Sequence, residues 1–334
     1  ENLGVGMFGT QQVITTQAIA PSSVSAADLD GDGAMDVLST SLEDDKVAWY
    51  ENLGSGLFGQ QEVIAYSLAH LMDAPRYVRA VDLDGDGDLD LLSATSNYYV
   101  VGKVVWFENQ GNNIFRPKPD IASKLFTSYS VATADIDEDG DIDLLLASSA
   151  DDKVAWHENL GSGSFGPQQV ISTAADGANW ILAADLDGDG DQDVLSTSSL
   201  DNTVAWYENL GNGSIGPQQV ITTGAEGANS VHAADLDGDG DLDVLSASFS
   251  DDKVAWYENL GSASFGPQQV ISLEADGVSS IYAADLDGDG DEDVLSASTV
   301  DDKVAWYENL GSGTYGAQQV ITTAADGARS VCAV

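Results

Sequence analysis

The nonapeptide Asp235–Asp243, DLDGDGDLD, sets four carboxylates at fixed spacing, and the pattern D-x-D-x-D-G-x-x-D occurs six times in the chain. The first copies hold Asp28, Asp30, Asp32 and Asp36, then Asp82, Asp84, Asp86 and Asp90, then Asp135, Asp137, Asp139 and Asp143. The later copies hold Asp185, Asp187, Asp189 and Asp193, then Asp235, Asp237, Asp239 and Asp243, then Asp285, Asp287, Asp289 and Asp293. In a tight loop the first three carboxylates of each copy converge on one point, and the fourth closes the cage. The Gly after the third Asp, such as Gly240, permits the sharp bend. Hard oxygen donors at this density suit Ca²⁺, which takes six to eight of them. In the third copy Glu138 stands where the others carry a second glycine. A solvated acidic turn explains one such loop, but not four Asp at one spacing in six loops.

The opening D-x-D-x-D-G resembles an EF-hand loop, but an EF-hand needs Glu at position twelve and a helix on each side. Here position nine is Asp, and the residues after Asp243, VLSAS, read as a strand. The acidic segment is therefore expected to be a short calcium loop joining two β-strands.

What must position these loops is a repeat. The motif starts lie 54, 53, 50, 50 and 50 residues apart. Around the fifth copy four strand-like segments follow one another: Ser230–Asp235, Asp243–Ser248, Lys253–Asn259 and Gln268–Ser272. Turn signals separate them at Asp251-Asp252, Gly261–Gly266 and Asp276-Gly277. No segment keeps a helical period. The second and third strands are apolar on both faces, as in sheets stacked on both sides. Four strands in about 50 residues predict one blade of an all-β propeller. Small residues such as Ala233-Ala234 place the first strand innermost, where blades converge. A linear β-solenoid is the alternative.

The loops DLDGDGDxD, the following VLSAS, and Phe165-Gly166 and Phe265-Gly266 together resemble the FG-GAP and VCBS-type repeats, calcium-binding blades similar to the integrin α-subunit propeller. The resemblance spans essentially the whole chain. The repeat is short for integrin blades, and Phe-Gly gives way to Phe115-Arg116, Ile215-Gly216 and Tyr315-Gly316. The resemblance implies a seven-bladed propeller used in adhesion, in recognition or as a companion domain. Strand counting also favours seven. First strands occur near Val24, Val78, Val131, Ile181, Val231, Ile281 and Val331, and fourth strands begin with Gln11–Thr15, whereas second and third strands occur six times. Six blades is the alternative. The chain is expected to form one propeller over 1–334, with repeats near 28–81, 82–134, 135–184, 185–234, 235–284 and 285–334, and 1–27 a partial repeat. It reads as part of a longer protein in which residue 335 is Asp, opening a seventh loop.

The net charge is −45, from 56 acidic and 11 basic residues. Six Ca²⁺, adding two charges each, bring it to about −33. Such a surface disfavours nucleic acid and anionic membrane as electrostatic partners. No apolar run reaches the roughly 18 residues of a membrane span. The lone Cys332 excludes a disulfide framework. Weak repeated calcium sites need about 10⁻⁴–10⁻³ M calcium, which places the protein outside the cell, secreted or at the surface.

Strand parity puts the calcium loops on one face and the hairpins between second and third strands on the other. Both length irregularities, Ala65–Arg76 and the hairpin with Tyr98-Tyr99, fall opposite calcium around the second repeat. Six of the 11 basic residues lie between Arg76 and Lys124. Arg76, Tyr98, Tyr99, Lys103 and Lys124 are thus the candidate contacts for a protein or glycan ligand, or for self-association into a filament; drift in a tolerant loop is the other reading. One Trp per third strand, Trp49 to Trp306, reads as packing between blades. His70, His157 and His232 sit at unrelated phases with no nucleophile–base spacing, so no enzyme is expected. Asn212-Gly213-Ser214 is a glycosylation sequon. The reading is an adhesion or structural interaction module; a calcium-dependent lectin and a non-catalytic companion of a secreted enzyme are the alternatives.

Overall fold

Strands such as DVLSAS and KVAWY have no polar face to give to water, so each must be flanked by strands in its own sheet and covered by sheets on both sides. A computed structural model, describing residues 2–4, 6–65, 74–97, 100–111, 114–125 and 128–333, shows how the chain meets that demand. Six antiparallel sheets form, each taking its strands in chain order. Blade one is Pro21–Ala27, Asp36–Ser41, Lys46–Tyr50 and Glu62–Ala65; blade five is Ala228–Ala234, Asp243–Ser248, Lys253–Tyr257 and Gln269–Ser272. In blade five the register runs Ala234↔Asp243 to Ser230↔Ala247, with an irregularity next to Ala228. Every residue of Asp243–Ser248 is buried. The fourth strands are short, half exposed and irregular in register against the third, which blunts the outer edge. First strands touch those of adjacent blades and line a central channel. The all-β propeller of four-stranded blades is thus as expected.

Blade two departs from the pattern. Its third strand, Val100–Asn109, is long, and two short segments share its outer edge. Phe115–Pro117 pairs with Phe107–Asn109, and Ala122–Leu125 with Gly102–Val104. Most of the Ala65–Arg76 insertion, together with Tyr98-Tyr99, lies outside the described residues.

Two devices join blade to blade. The third-strand Trp residues, from Trp49 to Trp306, are 2–5% exposed. Each of Trp106, Trp156 and Trp256 lies against a glycine in the last loop of the next blade: Gly163, Gly213 and Gly313. A Cβ on Gly213 would stand 2.9 Å from the Trp156 ring, and its φ of +71° disfavours any side chain. The second device is an asparagine ladder. Asn159 Nδ2 donates to Leu83 O of the preceding blade (2.9 Å), Asn209 to Ile136 O (2.8 Å), Asn259 to Leu186 O (2.7 Å) and Asn309 to Leu236 O (2.8 Å).

Among the described residues six blades form, the count held as the alternative, and not the seven expected first. Gln11–Thr15 and Arg329–Ala333 do not pair as strands. The reason lies in the pairing order: a first strand bonds to a second and a fourth to a third, and residues 1–334 supply six of each middle strand. The two end segments instead lie between blade six and blade one. Asn2 Nδ2 donates to Leu286 O (2.6 Å), continuing the ladder, and Phe8 meets the Trp306 ring at 6.0 Å. At the centre, Ser279 Oγ donates to Ala328 O (2.9 Å), and Val331 N–H donates to Ser280 Oγ (3.3 Å). Val24 N–H of blade one reaches Ser330 Oγ from the other side (3.4 Å). A cleft of about 610 Å³ lies between these end segments and blade one.

Candidate metal centre

Each acidic loop folds around its first carboxylate. In blade five, Asp235 Oδ1 accepts N–H bonds from Gly238 (2.8 Å) and Asp239 (3.1 Å), and Oδ2 accepts from Gly240 (3.0 Å). Asp237 Oδ1 takes the Asp239 N–H (3.2 Å), and Asp239 Oδ1 takes the Asp241 N–H (2.9 Å). Gly240, at φ +99°, makes the bend that returns the chain to the second strand. Glu138 holds a φ of +61° at the position where the other copies use glycine.

The fourth Asp has a second role that sequence reasoning did not assign. Asp243 is fully buried; its Oδ2 accepts the Leu236 N–H (2.9 Å) and its Oδ1 the Asn259 N–H (2.7 Å). Asp36, Asp90, Asp143, Asp193 and Asp293 repeat the pair of bonds in their own blades. The same Asn259 then bonds across to the preceding blade. Acidic loop, third strand and blade interface are therefore fastened at one carboxylate. The Asn in the repeated ENLG segment was the available signal, and its regular recurrence was readable.

The donor set passes a test for a hard divalent cation. One carboxylate oxygen from each of Asp28, Asp30 and Asp32 falls within 4.8 Å of the others, and the same holds for Asp82, Asp84 and Asp86 and for Asp235, Asp237 and Asp239. In the third and fourth loops the fourth Asp joins the group: Asp135, Asp137 and Asp143, and Asp185, Asp187 and Asp193. Asp84 Oδ1 and Asp137 Oδ1 are buried and have no hydrogen-bond partner. Burial, and then the Asp239 carboxylate, pushes Asp237 above the usual range; Asp84 and Asp137 are raised in the same way. Carboxylates that crowd and lack partners are what a cation would relieve. An all-oxygen, acid-dense loop fits Ca²⁺ better than Mg²⁺, which keeps its waters.

The fourth Asp makes the metal-free protein sensitive to pH. Burial pushes Asp90, Asp143, Asp193 and Asp293 up to about 6 and Asp243 to about 7, against the partial pull of the two main-chain N–H bonds. Unfolded Asp titrates near 3.9. The native state thus holds these protons more tightly, so their contribution is fully present below about pH 4 and lost as pH rises through about 6–7. The chelated protein is expected to melt several degrees higher at pH 5 than at pH 8 in scanning calorimetry. With calcium bound the order should reverse, because the ion needs ionised ligands. A chelated protein that melts higher at pH 8 would contradict this assignment.

The turn opposite the acidic loops also proved more than surface. Asp252, at φ +56°, accepts the Gly277 N–H (2.8 Å), and Asp152, Asn202 and Asp302 do the same in their blades. Beside it Lys253 pairs with Asp251 at 2.6 Å.

The candidate partner surface is only partly brought together. Arg76 is half-buried on the first strand of blade two, and Lys103 is paired with Asp120 (3.4 Å). Lys118 pairs with Glu108 (2.6 Å) and lies over the Trp106 ring at 5.2 Å. The side chains of Tyr98, Tyr99 and Lys124, and all of His70, lie outside the described residues. His157 is buried, with Nδ1 donating to Gly166 O (3.0 Å), while His232 faces the central channel. Asn212 is exposed in a loop on the face of the acidic loops. No helix among the described residues is long and apolar enough to cross a membrane.

The family model described as FG-GAP-like repeat matches residues 28–93, 82–146, 135–196, 185–246, 235–296 and 285–334. No curated protein matches the chain. Among solved structures, a lectin of Agrocybe aegerita that recognises non-reducing terminal N-acetylglucosamine is 20% identical, covering 92% of this chain and 81% of that one, with a TM-score of 0.64. The lectin BP39L of Burkholderia pseudomallei is 18% identical over 92% and 85%, with a TM-score of 0.65. Virginiamycin B lyase of Staphylococcus aureus is 14% identical over 95% and 89%, with a TM-score of 0.63. At these identities the likeness is one of fold.

Proposed function

The chain belongs to the FG-GAP-like repeat family, and from that membership we propose that it is an extracellular calcium-binding propeller, secreted or on the cell surface, that serves as an adhesion or structural protein-interaction module. The observation that carries this reading is the set of acidic loops on one face, with buried, unpartnered oxygens at Asp84 and Asp137. Asp235, Asp237, Asp239 and Asp243 would hold the ion in blade five, and the corresponding residues elsewhere. Calcium at extracellular concentration would neutralise these loops and stiffen the scaffold. The opposite face, with its short hairpins and the enlarged second blade, is then free to engage a protein or glycan ligand. Self-association into a filament is a further form of the same reading, with blade two as the contact. A lectin activity shares the fold, but the strand-three Trp residues are buried between blades and offer no stacking face there.

Calorimetric titration of the chelated protein with Ca²⁺ tests the metal reading. Several sites in the range of about 10⁻⁵–10⁻³ M are expected. Asp237→Ala should remove about one of them, whereas Glu43→Ala, at an exposed turn, should remove none. An isotherm without saturation up to about 10 mM calcium would refute the reading. Beads coated with the protein should then hold a cell or matrix surface in calcium and release it in chelator. Glycan-array binding lost in chelator would move the assignment to the lectin.

A further inference from the structure

Outside the enlarged second blade the repeats are near copies of one another, and they diverge again in the central channel, a cavity of about 380 Å³ lined by first strands of blades one, two, four, five and six and by Ser330–Ala333. The position of Val231 is Val or Ile in every copy, yet the residue after it is Arg79 in blade two, Leu182 in blade four, His232 in blade five and Tyr282 in blade six. One position before it, where Ser recurs, blades two and four carry Tyr77 and Trp180. These two blades are not neighbours, but the two rings meet edge to face, 6.2 Å apart at 88°. The pair therefore reaches across the channel past blade three. It narrows the end away from the calcium loops, because both residues lie early in strands that run toward those loops.

Two residues further along, about 6–7 Å nearer the calcium face, stand Arg79, His232 and Tyr282. The His232 and Tyr282 rings lie 4.7 Å apart. Burial holds His232 neutral, pulling its pKa down to about 4. Arg79 is half-buried, and its guanidinium has no hydrogen bond or ion pair among the described residues. Lys46, Lys103, Lys118, Lys153, Lys253 and Lys303 are each paired with a carboxylate, and Arg116 and Arg329, which are not, are exposed to water, whereas Arg79 is half-buried. A chain of net charge −45 has left one guanidinium without an acid inside an aromatic-walled cavity. The cavity lies within the size range of small-molecule sites, which combine apolar walls with a few fixed polar groups.

We propose that the central channel is a binding cup for a small planar carboxylate, open toward the calcium face, with Arg79 pairing the acid group and the Tyr77–Trp180 floor and His232–Tyr282 wall taking the flat face. A guanidinium offers a carboxylate two parallel N–H bonds. The acidic body opposes anions at long range, but at about 0.15 M salt that field decays within roughly 8 Å, and the contact to Arg79 is shorter than that. The cup is independent of the calcium loops and of whatever binds the opposite face.

The test uses the full chain in calcium, with benzoate as the probe and benzamide as its neutral isostere, followed by calorimetry and intrinsic fluorescence. Benzoate should bind one-to-one at about millimolar Kd or tighter, and benzamide at least about tenfold more weakly. Arg79→Gln should lose at least about tenfold in benzoate affinity, whereas Arg79→Lys should retain part of it. Trp180→Phe should abolish the fluorescence change without abolishing binding. Equal affinity for benzoate and benzamide, undiminished binding by Arg79→Gln, or no saturation by about 10 mM benzoate would overturn the proposal. The comparison of the two probes on the unmodified chain decides the matter even where a variant fails to fold.

Discussion

Treated with excess chelator, the protein is expected to melt at least about ten degrees lower than in millimolar calcium, and added Ca²⁺ should restore the loss more fully than Mg²⁺. An ion that binds only the folded state stabilises it by RT ln(1 + [L]/Kd), about 1.4 kcal/mol per site at tenfold saturation. Six independent loops would contribute roughly 8 kcal/mol, comparable with the whole stability of an ordinary domain. The coupling is direct, because each loop ends in a carboxylate that also fastens a third strand, and the Asn at that strand's end holds the preceding blade. With no ion bound, the Oδ1 atoms of Asp84 and Asp137 are buried without partners. Differential scanning calorimetry with and without chelator checks this. A melt unmoved by chelator would sink the metal reading, and equal rescue by both ions would leave the loops divalent sites without calcium preference.

The parts of this fold that were legible in the sequence are those that repeat. The 50-residue period and the two-faced apolar strands called for stacked four-stranded blades, and the structure has them, with an acidic loop between the first and second strands of each. Trp packing was legible for the same reason, since one Trp at one phase in every blade must meet the same neighbour each time. The second role of the fourth Asp was only half legible: the recurring Asn of ENLG marked a fixed position, but not what it bonds. The partners of the Asp are main-chain N–H groups at Leu236 and Asn259, and no side-chain pattern advertises a backbone donor. Asp252 was hidden likewise: an acid in a turn looks solvated until the Gly277 N–H arrives from the next connection. Blade count was the hardest quantity. Strand tallies gave seven inner segments and six middle ones, and the pairing order let only six sheets close. The contacts of Tyr77 with Trp180 were invisible because they join blades two apart across an axis that sequence spacing does not encode.

A chain lengthened after Val334 by a copy of Asp235–Tyr257 is expected to melt about five degrees or more above the parent in calcium. The added residues would bring one acidic loop, one second strand and one third strand, and nothing else. Asp235 follows Ala234 in the repeat as the copy would follow Val334, and Glu258-Asn259-Leu260-Gly261 follows Tyr257 as Glu1-Asn2-Leu3-Gly4 would adjoin the end of the copy. Each unmet contact between blade six and blade one then gains its partner. Asn52 Nδ2, whose bond is to Met35 O within its own blade (2.9 Å), would gain the cross-blade carbonyl that Asn259 has in Leu186. Gly56, whose near neighbour is Gln12, would gain the ring that Gly213 has in Trp156. Arg329–Ala333 would gain a second strand to pair with. Val13 and Ile14, 64% and 39% exposed, would gain a third strand to lie against. Ordering the extension costs about 1.5 kcal/mol per residue, so most of the burial is offset, and a net gain of about 2–4 kcal/mol is the reasonable scale. The gain should require the copied Trp: the same extension with Ala in its place should melt close to the parent, because the blade interface is built on that ring. Trypsin provides the second readout, since the copied Lys should resist cleavage once its strand is paired. An extension that trypsin removes at once, with the melt unchanged, would show that the cleft between blades six and one does not accept the added strands.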